Sequence, residues 1–232
     1  MLNALKIRLS NHFSPELVKN VTGPIYGKSG LSPEKTIEKY LAETPVGKRG
    51  LNLGCGGATF DGWINVDEQY PHHVDVLWDI GKDLLSFVPD GTFDYVYSEH
   101  FMEHINRKAG LNLMKDSMRV LRKGGHVRIA MPDLDKVLND YHQDNKHRDV
   151  HDSFKDFYGE LFYTRGELLD IAMRAWGHTY LYNEEDLILL LKAAGFTNVK
   201  RVKLNASEVP MLANRETRPV EQSGLIAEGT KQ

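Results

Sequence analysis

Short apolar runs alternate with longer stripes of 3.6-residue period along most of this chain. The runs lie at residues 51–53 (LNL), 63–66 (WINV), 74–78 (VDVLW), 93–97 (FDYVY), 126–131 (HVRIAM), 199–204 and 225–228. Their length, with turn-forming residues on either side, predicts seven strands. Ile37, Tyr40 and Leu41 form one helical stripe behind Ser32-Pro33-Glu34, a capping residue followed by proline at the first helical position. Ser14-Pro15-Glu16 repeats that signal earlier. Leu111, Met114, Met118 and Leu121 mark a helix over 111–122, with Gly124-Gly125 as its expected stop. Asn183 caps a helix that carries Glu184, Glu185 and Asp186 at its positive end and Leu187, Leu190, Leu191 and Ala194 inward, with Gly195 as stop. Strands alternating with helices predict an α/β fold: a mainly parallel seven-stranded sheet with helices on both faces. Ligands of such sheets bind beyond the carboxyl ends of the strands.

A length of 232 residues suits one domain with appendages. Residues 1–48 read as a helical extension, 49–232 as the main domain, and 133–182, rich in His and Tyr, as an insert after the fifth strand. The net charge of −3 leaves no basic footprint for nucleic acid. A single cysteine, Cys55, excludes an intrachain disulfide and a cysteine zinc site. No run approaches the ~18 apolar residues of a membrane span, and residues 1–10 lack the core and cleavage site of a secretory signal. The expectation is a cytoplasmic protein. Leu2, Leu5, Ile7 and Leu9 beside Lys6 and Arg8 read as an arm docked on its own domain, with a membrane-surface helix as the alternative.

The densest chemistry follows the first strand. In LNLGCGGATFDGWINVD, glycines 54, 56 and 57 let the backbone turn sharply and approach a ligand, and Asp67 ends the next strand, where a carboxylate accepts both hydroxyls of a ribose. This is a nucleoside-binding edge but not a dinucleotide fingerprint. The third glycine is replaced by Thr59, and ATFDGW leaves no room for the helix whose N-terminus would hold a pyrophosphate.

With these motifs, together with FDYVYSEHFMEHI, RVLRKGGHVRIAMPDL and YNEEDLILLLKAAGFTNVKRV, the chain resembles the class I S-adenosylmethionine-dependent methyltransferases. It is most similar to a short group found among cell-surface saccharide genes, in which the first crossover is also shortened. The resemblance covers residue 51 to about residue 202. It implies a Rossmann-like methyltransferase fold and S-adenosylmethionine as cofactor. Leu53, Gly54, Cys55 and Gly56 would pass under the methionine part and Asp67 would hold the ribose. Asp79 and Ile80 would meet the adenine, and Ser98, Glu99 and His100 would line the methyl-transfer side.

EHFMEH places Glu99, His100, Glu103 and His104 at the start of a helix, with i,i+4 pairs on shared faces. Three readings stand: carboxylates favouring a helix N-terminus, a histidine base for the acceptor, or a divalent-metal site, although a hard cation prefers oxygen ligands. No metal is assigned. His178, in GHTYLY, is a further candidate base, so His100, His104 and His178 form the candidate catalytic set. Asp133, at the tip of the fifth strand, is a candidate acceptor contact. His142, His147 and His151 read as a solvated segment, and Tyr141, Phe154, Phe157, Tyr158, Phe162, Tyr163 and Trp176 as the packing of a lid, with one or two free to stack on an acceptor. Cys55 reads as a small loop residue rather than a nucleophile.

The Asn/Asp-Pro-Pro-Tyr signature of amino methylation in nucleic acids is missing: Tyr97-Ser98-Glu99-His100 takes its place. Pro132 is followed by Asp133 rather than the cysteine of cytosine C5 methylation. The expected reaction is in-line transfer to a hydroxyl of a small-molecule or saccharide acceptor. The alternatives are a non-catalytic cofactor-binding module and a nicotinamide oxidoreductase. Oligomeric state stays open, a homodimer included.

Overall fold

The computed structural model describes residues 26–143, 164–219 and 222–232. Helix α1 (Pro33–Glu43) opens at Ser32, whose hydroxyl accepts from the Lys35 N–H. Then come β1 (Gly50–Leu53), β2 (Ile64–Asp67), β3 (Val76–Leu77) and β4 (Phe93–Glu99). A 3-10 turn (Met102–His104) leads to α2 (Arg107–Val120) and β5 (Leu121–Met131). Helices α3 (Leu134–His142), α4 (Arg165–Arg174) and α5 (Glu184–Ala193) precede β6 (Thr197–Arg201) and β7 (Leu225–Thr230). The seven strands form one sheet in the order β3-β2-β1-β4-β5-β7-β6. β7 runs antiparallel to both its neighbours and the other pairs are parallel. The strand order reverses between β1 and β4, so the cleft beyond their carboxyl ends is the switch point at which ligands bind.

All seven expected strands are present. β1 is buried at every position, as a central parallel strand should be. The expected helix over 111–122 starts earlier, at Arg107, because the Asn106 side chain accepts from the Ala109 N–H and caps it. It ends at Val120, not at the glycine pair. Gly124 and Gly125 lie inside β5, where the register steps from Phe93 opposite Leu121 to Tyr95 opposite His126. Five residues of β5 thus span two of β4, a bulge that needs glycine. Gly124 has φ +78°, and a Cβ on Gly125 would lie 2.9 Å from the Arg122 carbonyl oxygen and 3.0 Å from that of Asp94.

The N-terminal helix signalled at Ser14 and the arm at residues 2–9 lie outside the described residues. So do His147, His151, Phe154, Phe157, Tyr158, Phe162 and Tyr163 of the insert. Among the described residues no helix is long and apolar enough to cross a membrane.

A buried ion cluster ties the antiparallel edge to the sheet. Arg128 and Glu228 face each other across β5 and β7. The fully buried Arg128 guanidinium donates to Glu228 Oε1 and Glu216 Oε1, each at 2.5 Å, and to the Ala206 carbonyl at 2.8 Å. Two carboxylates around one guanidinium are balanced only while all three remain. Arg128→Met should cost about 3–5 kcal/mol of stability in urea unfolding. Neutralising Glu216 and Glu228 as well, with apolar residues of similar volume, should recover most of that loss.

Candidate active site

The crossover from β1 to β2 contains no helix, so its backbone needs other hydrogen-bond partners. Two buried asparagines on neighbouring strands supply them. Asn52 Nδ2 donates to the Ala58 carbonyl (2.9 Å) and to Asn65 Oδ1 (3.1 Å). Asn65 Oδ1 accepts from the Phe60 N–H (2.7 Å), and Asn65 Nδ2 donates to the Phe60 carbonyl (3.0 Å) and to Asp75 Oδ2 (2.8 Å). Held this way, the glycine loop folds back on β2: the Gly54 N–H donates to the Val66 carbonyl at 2.9 Å, and the Gly56 N–H to Asp67 Oδ2 at 2.9 Å.

Each glycine has a distinct reason. Gly54 sits at φ +64°, and a Cβ there would fall 2.3 Å from the Phe101 ring. Gly56 has φ +52°. Gly56 and Gly57 both face open space, which leaves room for a ligand against bare backbone. Burial raises the Asp67 carboxyl above its ordinary value, against the opposing pull of the N–H groups of Gly56 and Gln69. A half-buried carboxylate with spare acceptor capacity fits a pair of ligand hydroxyls. The Cys55 thiol is pushed up to about 12 by burial and by the nearby Asp67, so it stays neutral and is no nucleophile.

Beyond β3, Ile80 is buried and Asp79 pairs with Lys82. A Cβ on Gly81 would meet Ile105 at 2.9 Å, Asp79 Oδ1 at 3.4 Å and Phe101 at 3.9 Å. The Phe101 ring therefore runs from Gly54 to Gly81 and joins the tip of β4 to both sides of the expected cofactor cleft. Leu53, at the end of β1, is fully buried.

At the tip of β4 the chain turns through His100, at φ +52°, a conformation that is strained for a residue with a Cβ. The turn divides the EHFMEH residues between two networks. Glu99 leans toward the segment before β7: it accepts from the N–H groups of Thr217 and Arg218 and from the hydroxyls of Thr217 (2.7 Å) and Ser223 (3.2 Å). His100 is engaged at both nitrogens, Nε2 with Ser223 Oγ and Nδ1 with Glu103 Oε1, each at 2.9 Å. Glu103 is fully buried, and its Oε2 has no hydrogen-bond partner among the described residues, as is also true of the buried Ser98 Oγ.

His104 and His178 meet edge to face with ring centroids 5.1 Å apart. The Thr179 N–H donates to the Glu103 carbonyl at 2.8 Å, which locks the two segments together. His178 Nδ1 lies 2.7 Å from the Ala172 carbonyl. A carbonyl only accepts, so Nδ1 carries the proton and Nε2 is the bare nitrogen of the neutral ring. Burial lowers the pKa of His178, which favours that neutral form. One ligating atom each of Glu103, His104 and His178 lie within 4.8 Å of one another. Trp176, 52% exposed, stands beside His178 at 5.6 Å between ring centroids.

Of the candidate catalytic set, His104 and His178 thus converge with Glu103, whereas His100 holds Glu103 in place. Asp133 caps α3 by accepting from the Asp135 N–H (3.0 Å) and pairs with Arg201 (2.8 Å), so both its oxygens are engaged. Sequence reasoning did not single out Asn52, Asn65 or Ser223. It also missed Arg215, whose guanidinium lies over the rings of Phe60 (4.8 Å) and Trp63 (4.7 Å). A signal for the asparagines exists: each is a polar residue inside an apolar strand, LNL and INV.

A mainly parallel sheet with one antiparallel strand, and a glycine loop closed on a strand-end carboxylate, define a Rossmann-like nucleoside-binding enzyme fold. The model of a methyltransferase-domain family matches residues 31–201, and the chain belongs to that family. Solved structures with this fold include a Thermotoga maritima S-adenosylmethionine-dependent methyltransferase, described as a possible histamine N-methyltransferase. It shares 18% identity over 100% of both chains, with a TM-score of 0.51. Another, from Archaeoglobus fulgidus, shares 18% identity over 85% of this chain and 92% of its own, with a TM-score of 0.49. No curated protein matches. The chain thus carries a methyltransferase domain, on the fold that the Thermotoga maritima enzyme shares.

Gly54→Ala should lower the melting temperature by several degrees, since it adds both a clash with Phe101 and strain at positive φ; thermal unfolding checks this. Gly57→Ala, whose Cβ meets nothing, should leave the free protein's melting temperature within a degree or two.

Proposed function

We propose that this enzyme transfers the methyl group to a hydroxyl of a small-molecule or saccharide acceptor. The observation that carries the reading is the convergence of Glu103, His104 and His178 at the tip of β4, where one ligating atom of each lies within 4.8 Å of the others. An O–H group must have its oxygen oriented and its proton removed, and this cluster gathers the groups for that at one end of the cleft. Trp176 beside it offers an amphipathic ring face of the kind that stacks on sugars and aromatic rings.

S-adenosylmethionine supplies, when bound, a methyl group on a sulfonium, already activated for displacement. Asp67 would accept the ribose hydroxyls, and Gly54, Cys55 and Gly56, following the buried Leu53, would give the methionine part a wall of small residues. Asp79 and Ile80 border the adenine. Ser98 offers its unpartnered hydroxyl at the end of β4. Glu99 and His100 act as positioning residues, Glu99 through the segment around Thr217 and His100 through Glu103. The chain's main contribution is alignment of the acceptor oxygen with the methyl carbon. A nicotinamide cofactor lacks its main anion site here, because no helix follows the glycine loop.

Calorimetry should detect binding of S-adenosylhomocysteine and none of NAD. Asp67→Ala should weaken the former at least tenfold, about 1.4 kcal/mol. With labelled S-adenosylmethionine and a panel of hydroxyl-bearing sugars and phenols, label should enter an alkali-stable ether. Label entering only amines would overturn the hydroxyl assignment, and binding without transfer to any class of acceptor would favour a non-catalytic module.

A further inference from the structure

The Glu103 carboxylate presents an unusual imbalance. It is fully buried. One oxygen is held by His100, itself held by Ser223. The other has no hydrogen-bond partner among the described residues. A buried polar oxygen left without a partner is destabilising, the more so when charged. Two imidazoles adjoin the carboxylate: one of its oxygens lies within 4.8 Å of a ring nitrogen of His104 and of His178. His178 is oriented by donating Nδ1–H to the Ala172 carbonyl, which leaves Nε2 as the nitrogen free to bind. A backbone carbonyl fixing the tautomer in this way is the usual outer partner of a metal-bound histidine. The His100–Ser223 pair orients the carboxylate in the same manner.

We propose that Glu103, His104 and His178 form a binding site for one divalent transition-metal ion of the zinc, cobalt or manganese class, with an open coordination position that would take the acceptor's oxygen as its alkoxide, the hydroxyl proton leaving to solvent. Two histidines and one carboxylate suit a borderline ion better than magnesium or calcium, which favour all-oxygen ligands. Three protein ligands with a vacant fourth position are the arrangement of catalytic rather than structural zinc. At the usual metal–ligand lengths the ligand atoms of a tetrahedral site lie roughly 3.4 Å apart. The present limit of 4.8 Å closes to that by side-chain rotation of about an ångström. The open position follows from the partial exposure of both histidines, which leaves one side of the cluster accessible.

This inference rests on reading the cluster as the acceptor end of the cleft, and the two are separable by experiment. The untagged full-length protein, stripped with chelator, is titrated with Zn2+ and Mn2+ by calorimetry, and its Co2+ adduct is followed by visible absorption. One equivalent should bind. His104→Gln and His178→Gln should each weaken binding by about a hundredfold, and His100→Gln by about tenfold through Glu103. The cobalt spectrum should show d–d bands of a four- or five-coordinate ion that change when a hydroxyl acceptor is added. His104→Gln replaces a half-buried residue, and retained S-adenosylhomocysteine binding reports that it folds. No stoichiometric binding, or binding unchanged in both histidine variants, overturns the site. Transfer to a hydroxyl at an undiminished rate in the stripped protein overturns the role of the open position. Metal binding as expected, with methyl transfer confined to amines, would instead overturn the hydroxyl reading and leave the metal site standing.

Discussion

The short link between β1 and β2 is the constraint from which the site follows. In a dinucleotide fold a helix fills this link and satisfies its own backbone. Here nothing of that kind exists, and the loop's polar groups would be orphaned if side chains did not take them. Asn52 and Asn65, packed side by side across two parallel strands, do so. Their placement brings the backbone of Gly56 onto Asp67. The carboxylate and the glycine loop are thereby one unit, built by the sheet's interior. Asp75 extends that unit by accepting from the Asn65 side chain and pairing with Lys28, so the chain before α1 is tied to the same lattice.

The second organising feature is the turn at His100. Leaving β4 in a left-handed conformation aims consecutive side chains at different partners. Glu99 is spent on the segment before β7, and His100 bridges Ser223 to Glu103. Only after that turn does the 3-10 segment bring Glu103 and His104 against His178. Strain of about 1–3 kcal/mol at such a residue persists only when its surroundings hold it, and both ring nitrogens of His100 are held. The Arg128 cluster acts on the same region from behind. Glu216, which it fixes, is the residue before Thr217, whose N–H and hydroxyl bind Glu99.

Much of this was legible in the residues. Apolar runs locate the central strands because a parallel sheet buries them on both faces, whereas the sixth strand, a mostly exposed edge, lies two residues earlier than expected. The absence of space for a helix in ATFDGW was equally plain. Along the chain the glycine pair at 124–125 reads as a helix stop, because a stop and a bulge demand the same backbone freedom. The roles within EHFMEH could not be separated along the chain, since helical spacing groups Glu99 with Glu103 and His100 with His104. The actual segment is a single 3-10 turn after a left-handed residue, and that geometry pairs His100 with Glu103 instead. Ser223 lies more than a hundred residues away in sequence, and only the antiparallel return of β7 brings it there.

The two features together explain why the site is divided as it is. Strand ends β1 and β2 carry a wall made of backbone and one carboxylate, suited to a ligand that brings its own reactive centre. Strand end β4 carries histidines and a buried carboxylate, suited to a partner whose oxygen must be oriented. Phe101 is the element common to both, because its ring packs on Gly54 and reaches Gly81 while its chain neighbours lead to Glu103 and His104. A side chain added at residue 54 would therefore act on both halves at once. It would displace the ring that fixes the spacing between the nucleoside wall and the acceptor cluster, and alignment across that spacing is what an in-line transfer requires.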